Sequence, residues 1–176
     1  EMVSHDVYLS YRLLRLVNSP FFPTRVEVDS IHRAVSLLGL ESLRTYVSWL
    51  AMTRIDDKPS ELTKTLMVRA RLSALLAEAM GRMDFLAAFT VGLFSGLDAL
   101  TDLTLEEALE PLPLSESVQE ALLHQTGPLG EILAAVVGYE QGDWSAPDLV
   151  GLPPTRFHEA YLNAVAWAED IESSMG

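Results

Sequence analysis

Leu9-Ser10-Tyr11-Arg12-Leu13-Leu14-Arg15-Leu16-Val17-Asn18-Ser19-Pro20, followed by Ser30-Ile31-His32-Arg33-Ala34-Val35-Ser36-Leu37-Leu38-Gly39, decides the fold class. In the first stretch Leu9, Leu13, Leu16 and Val17 recur at helical spacing, with Arg12 and Arg15 off the stripe. Asp6 stands at the N-cap position, and Asn18-Ser19-Pro20 stops the helix. Phe21 to Val28 reads as a loop. Asp29 or Ser30 caps a second helix, with Ile31, Ala34, Val35 and Leu38 on one face. Gly39 ends it, because glycine adopts the left-handed C′ conformation at least cost.

The same signals continue outward. A third helix opens at Leu40 or Glu41 and turns Leu43, Val47, Leu50 and Ala51 inward. After the turn Asp56-Asp57-Lys58-Pro59, Ser60 caps a long helix to about Met80, closed by Gly81. Asp84 caps a helix expected from Phe85 to about Leu100. That segment is apolar on every side, which places it at the centre of the fold. Thr104-Leu105-Glu106-Glu107 is a capping box, and Pro111 to Leu114 ends the short helix it opens. Ser115 caps a helix to about Gln125, and Pro128 suits the first turn of another ending near Tyr139. Gly142 to Pro154, with Pro147, Pro153 and Pro154, reads as irregular. A last helix runs from Thr155 to about Ser173. Sustained alternation and hairpin-turn dipeptides are lacking, so no strand is expected. The reading is all-α: a compact multi-helix fold of about ten short helices forming a single domain over residues 1–176.

The 176 residues suit one domain, and a hydrophobic fraction of 49% supports a sizeable core. With no cysteine, disulfides and thiolate metal sites are excluded. No secretory start or membrane-length apolar run is found, so a cytoplasmic setting without membrane contact is expected. The chain begins at Glu1 rather than Met, which suggests an N-terminally truncated piece of a longer protein. The net charge of −13 is unevenly spread. Residues 1–80 carry ten Lys/Arg against nine Asp/Glu; residues 81–176 carry two against sixteen. An acidic second half repels nucleic acid and anionic lipid surfaces.

Four segments together resemble the HDOD family, the output domains related to HD phosphohydrolases. They are the two opening stretches, the Phe85–Leu100 segment, and the pair Tyr139-Glu140-Gln141-Gly142-Asp143-Trp144 and Tyr161-Leu162-Asn163-Ala164-Val165-Ala166-Trp167-Ala168. The last pair is similar to the C-terminal part of proteins in which an EAL domain precedes the HDOD domain. The resemblance implies an HD-domain-like fold without HD catalysis, acting in bacterial signalling. Its implied partner is a cyclic-di-GMP-related EAL domain. The helix or two that usually precede the Leu-Ser-x-x-Leu-Leu segment in the family are missing here.

An HD phosphohydrolase needs adjacent His and Asp on a buried helix, plus further His and Asp ligands for one or two divalent metals. The matching stretch here is Val91-Gly92-Leu93-Phe94-Ser95-Gly96-Leu97-Asp98. Ser95 stands in the place of the His and Gly96 in the place of the Asp. Glycine offers no ligand and a serine hydroxyl is a poor one, so no catalytic residue, metal or cofactor is expected. Asp98 falls two positions late and reads as a polar residue near a helix end. His5-Asp6 spells the doublet but precedes the first helix. His32, His124 and His158 form no His-Glu-x-x-His or i, i+4 pair. Gly92-Leu93-Phe94-Ser95-Gly96 has the wrong spacing for a nucleophile elbow, and Gly127-Pro128-Leu129-Gly130 lacks the Lys of a phosphate loop. The acid groups Glu106/Glu107/Glu110 and Glu169/Asp170/Glu172 read as solvated faces.

Binding surfaces remain. The helix pair joined at Gly39 superficially suits a helix-turn-helix, but Arg33 and Arg44 would be its main cations. Arg12, Arg15, Arg69 and Arg71 either receive an acidic group or neutralise nearby carboxylates, the latter being favoured. Phe21, Phe22, Tyr139 and Trp144 put aromatics beside loops and prolines, where they either serve an interface or plug the core. The expected function is a non-catalytic signalling module. It would work by protein or inter-domain contact on an EAL-like neighbour, with homodimerisation as the other use of such patches. The alternatives are a divergent metal-dependent phosphohydrolase and, more weakly, a nucleic-acid-binding regulator.

Overall fold

In a computed structural model, which describes residues 18, 31–39, 47, 60–81, 84–101, 103–112 and 114–175, the apolar segment from Phe85 lies at the centre of an all-helical fold. The helices are α1 (Ile31–Leu38), α2 (Ser60–Ala79), α3 (Phe85–Phe94), α4 (Leu97–Thr101), α5 (Leu105–Leu109), α6 (Glu116–His124), α7 (Gly127–Glu140), α8 (Ala146–Leu149) and α9 (Pro154–Met175). No strand occurs among the described residues. Among them, too, no helix is long and apolar enough to cross a membrane. The helices expected over Val7–Asn18 and Leu43–Ala51 fall almost wholly outside the described residues, as do Arg12, Arg15, Phe21 and Phe22.

Seven consecutive residues of α3, Ala88 to Phe94, are buried. This follows from its composition, since a helix apolar all round has no face to give to water. α2 lies along α3 on one side and along α9 on the other. α7 touches α2 and α3, pairs with α6, and is covered at its C-terminal end by α8. Phe89 on α3 meets Trp167 on α9 edge to face, with ring centroids 6.0 Å apart.

Small residues set the α2–α3 distance. A Cβ on Gly92 would fall 2.6 Å from the Arg69 carbonyl carbon and 2.7 Å from the Ala70 Cα. The two backbones therefore touch, with fully buried Ala70 and Ala74 on the facing side of α2.

The caps follow the sequence. Asp84 Oδ1 accepts the Ala87 N–H at 3.3 Å. Thr104 and Glu107 make the reciprocal box, with bonds of 3.3 and 3.0 Å. Gly39 and Gly81, at φ of +80° and +69°, close α1 and α2. Ser115 occupies an N-cap position but makes no capping bond.

Two expectations are corrected. The helix from Phe85 to Leu100 is not continuous; it breaks at Ser95–Gly96 into α3 and α4. The Ser95 hydroxyl donates to the Gly92 carbonyl at 2.8 Å, and the Ser95 N–H turns to the same oxygen. A serine side chain that takes a helix carbonyl competes with the backbone ladder and loosens it. The stretch 142–154 is not wholly irregular, since it holds α8 with Pro147 in its first turn. Proline is tolerated there because the first-turn N–H groups have no helical partner.

The Gly92 contact predicts unequal costs for two neighbouring substitutions. G92A should lower the unfolding free energy by about 3 kcal/mol, because backbone cannot move aside. G96A should cost about 1 kcal/mol, because the atom in its way is the Leu66 Cδ2 tip, which can rotate. Urea unfolding of both variants measures the difference.

Candidate functional site

The break between α3 and α4 turns Ser95 toward α2. There its Oγ accepts a bond from the Arg69 guanidinium, Nη1 to Oγ at 3.2 Å. The Arg69 Nε donates to Glu140 on α7, 2.8 Å from Oε2 and 3.1 Å from Oε1. Both side chains are largely withdrawn from water, with 21% and 17% of their surface exposed. Burial pushes the Glu140 carboxyl above the usual carboxylate range; the Arg69 charge and hydrogen bond pull it back only in part. One cation thus ties together α2, the α3–α4 turn and the last residue of α7.

Ser95 and Gly96, the two positions that the resemblance aligns with an HD doublet, do not fit a divalent metal. Ser95 Oγ is already shared between a guanidinium and a backbone carbonyl. A guanidinium at that distance repels a second cation. Gly96 offers no side-chain ligand, and the space beside it holds the Leu66 Cδ2, 2.8 Å from an added Cβ. Asp98 is exposed in the first turn of α4. His124 and His158 are exposed, and among the described residues no three His, Asp or Glu side chains converge.

Glu140 also borders a groove of about 360 Å³ between α2 and α9, lined in addition by Lys64, Thr65, Tyr161, Val165 and Glu169. Lys64 is held there by Glu169 at 3.2 Å and Glu172 at 3.8 Å. The charge of that lysine is spoken for, so the groove offers little to a phosphate.

Beside the groove lies an aromatic cluster. Tyr139 on α7 packs against Phe157 at 4.7 Å, Tyr161 at 5.3 Å and Trp144 at 5.7 Å between ring centroids. Its hydroxyl hydrogen-bonds His158 Nδ1 at 2.8 Å. Phe157 is fully buried, Tyr139 half-buried, and Trp144 75% exposed. Of the expected surface residues, the structure brings Tyr139 and Trp144 together. Arg12, Arg15, Phe21 and Phe22 lie outside the described residues. Arg69, read in the sequence as part of a basic group, is spent on Glu140.

Sequence reasoning did not link Arg69, Ser95 and Glu140. The ion pair spans 71 positions and the serine contact 26, and neither carries a local signal. Leu66, which fills the space beside Gly96, is not singled out by any local sequence signal.

The HDOD domain family model matches residues 1–141. Over 97% of its length the chain is 34% identical to "Cyclic di-GMP phosphodiesterase CdgJ" of Vibrio cholerae serotype O1, covering 41% of that protein. Over the same share it is 28% identical to "Uncharacterized protein YuxH" of Bacillus subtilis, covering 43% of it. The chain therefore spans about two-fifths of the length of these curated relatives. No solved structure matches it.

The ion pair generates a pH-dependent prediction. R69Q strands Glu140 in its half-buried place and should cost about 2 kcal/mol at neutral pH. Without the cation the folded-state pKa of Glu140 rises further above its unfolded value. Stability contributed by a raised carboxyl is present below the unfolded pKa and lost as pH rises through the folded one. The R69Q deficit should therefore shrink as pH falls into the carboxylate range, and R69Q/E140Q should recover part of it at pH 7. Thermal unfolding of the three proteins across pH tests this; a deficit that does not change with pH contradicts it.

Proposed function

The chain belongs to the HDOD domain family, and from that premise we propose that it is a non-catalytic regulatory module of a longer bacterial signalling protein. It acts in the cytoplasm by contact with an attached cyclic-di-GMP-related EAL domain. The observation that carries this reading is the Arg69 guanidinium seated between Glu140 and Ser95, the residue that the resemblance aligns with the HD histidine. Hydrolysis of a phosphodiester by that chemistry needs a metal-bound hydroxide. A fixed organic cation cannot supply one, because it has no open coordination position for water. What the arrangement retains is the rigid coupling of three elements, which suits a part that transmits force or shape.

The named activity of the Vibrio relative supports a place in cyclic-di-GMP signalling. More than half of that protein lies beyond the part this chain covers, which leaves room for a separate catalytic domain. A second reading, a divergent metal-dependent phosphohydrolase, has the same name on its side. Against it stand the Ser95 hydroxyl, already bonded to the Gly92 carbonyl and to Arg69, and Gly96, which has no side-chain ligand.

Elemental analysis of natively purified, tag-free protein should find no transition metal near stoichiometry. Removing the module from the longer protein should change the cyclic-di-GMP hydrolysis or the assembly of what remains. One or two metals per chain, lost on substituting a histidine, would favour the phosphohydrolase. No change on removing the module would end the regulatory reading.

A further inference from the structure

The strongest feature left unexplained is Trp144. A tryptophan side chain carries a large apolar surface, and here three-quarters of it faces water. The residue is not loosely held. Gly142, at φ +83°, makes the turn out of α7, and the Asp143 N–H returns to the Gly138 carbonyl at 2.9 Å. Asp143 Oδ1 then accepts both the N–H and the hydroxyl of Ser145, at 2.9 and 2.6 Å. Trp144 is gripped on either side in sequence, and its ring rests against Tyr139 edge to face at 87°. Leu149 on α8 and Leu162, next to Tyr161 on α9, are each more than half exposed. A rigid aromatic pre-set in its binding position loses little entropy on contact, which is the usual property of an interface anchor.

We infer that the Trp144 face docks the remainder of the longer polypeptide, through an apolar patch on that remainder bordered by Lys or Arg. This rests on the reading of the chain as part of a larger signalling protein. Two observations select that occupant. Between Gln141 and Thr155 the segment that bears Trp144 carries Asp143 and Asp148 and no Lys or Arg, so it is acidic and calls for a basic counterpart. A second copy of this chain, meeting the same patch about a two-fold axis, would bring like charges together. In addition, the relatives extend to more than twice the length this chain covers, so in them a tethered neighbour is at hand. Tethering raises the effective concentration of the partner, so a single aromatic anchor with a charged rim is enough.

The test uses the full-length protein. Acrylamide quenching of wild type and W144F gives, by difference, the accessibility of Trp144 among the three tryptophans. The expected result is quenching severalfold weaker than for a free indole, unchanged on dilution and strengthened by high salt, which screens the charged border. A Trp144 as accessible as free indole overturns the proposal. So does shielding that vanishes on dilution, which would make the occupant a second copy. The neighbour's activity, measured on W144S and on protein lacking the module, separates the two readings. If removal alters activity while Trp144 stays accessible, regulation stands and this surface falls. If Trp144 is shielded and removal alters nothing, the surface stands and regulation falls.

Discussion

The direct contact between the backbones of α2 and α3 at Gly92 is the constraint on which the rest depends. With no Cβ on Gly92, the Arg69 carbonyl and the Ala70 Cα come within touching distance of α3. Close-packed interiors transmit such a constraint, since a shift of either helix would open voids around Leu72, Ala74, Phe89 and Leu93. The same contact sets the position from which the Arg69 side chain leaves α2. From there its guanidinium reaches Ser95, three residues beyond Gly92, and Glu140 at the end of α7. Core packing and the polar site are thus two results of one geometry.

The polar site is costly as a stabilising device. Taking a guanidinium and a carboxylate out of water carries a desolvation penalty that their attraction offsets only in part. The upward displacement of the Glu140 carboxyl expresses that imbalance. What the pair supplies is uniqueness: Arg69 has strong partners in one arrangement of α2, the α3–α4 turn and α7. A helix break beside a serine and a glycine would otherwise be a soft point in the centre of the domain. The cation spans it, and the end of α7 that it holds leads directly into the turn bearing Trp144.

Much of the fold was legible locally. Asp84, the Thr104–Glu107 box, Gly39 and Gly81 act within a turn of their own helices, where short-range hydrogen bonding and backbone freedom decide the outcome. The apolar character of Phe85 to Phe94 was enough to place that helix at the centre. The break at Ser95 was less legible, since a serine inside an apolar run signals a bend only when its hydroxyl takes the carbonyl behind it. The end of α6 at Gln125 was expected, but that a non-glycine would make it at φ 52° carried no advance signal.

By itself, then, the sequence determined the helical class, most helix ends among the described residues, the acidic second half and the presence of Ser95 and Gly96, neither a metal-binding His nor an Asp, in the central apolar segment. These are properties of single residues or of neighbours within a few positions, set by propensity, capping and charge. Tertiary structure alone decided that Arg69 fills the place beside Ser95, that Leu66 fills the place beside Gly96, and that Trp144 faces water while Phe157 does not. Each depends on which helices approach one another and how closely, and partners separated by tens of residues leave no periodicity in the chain.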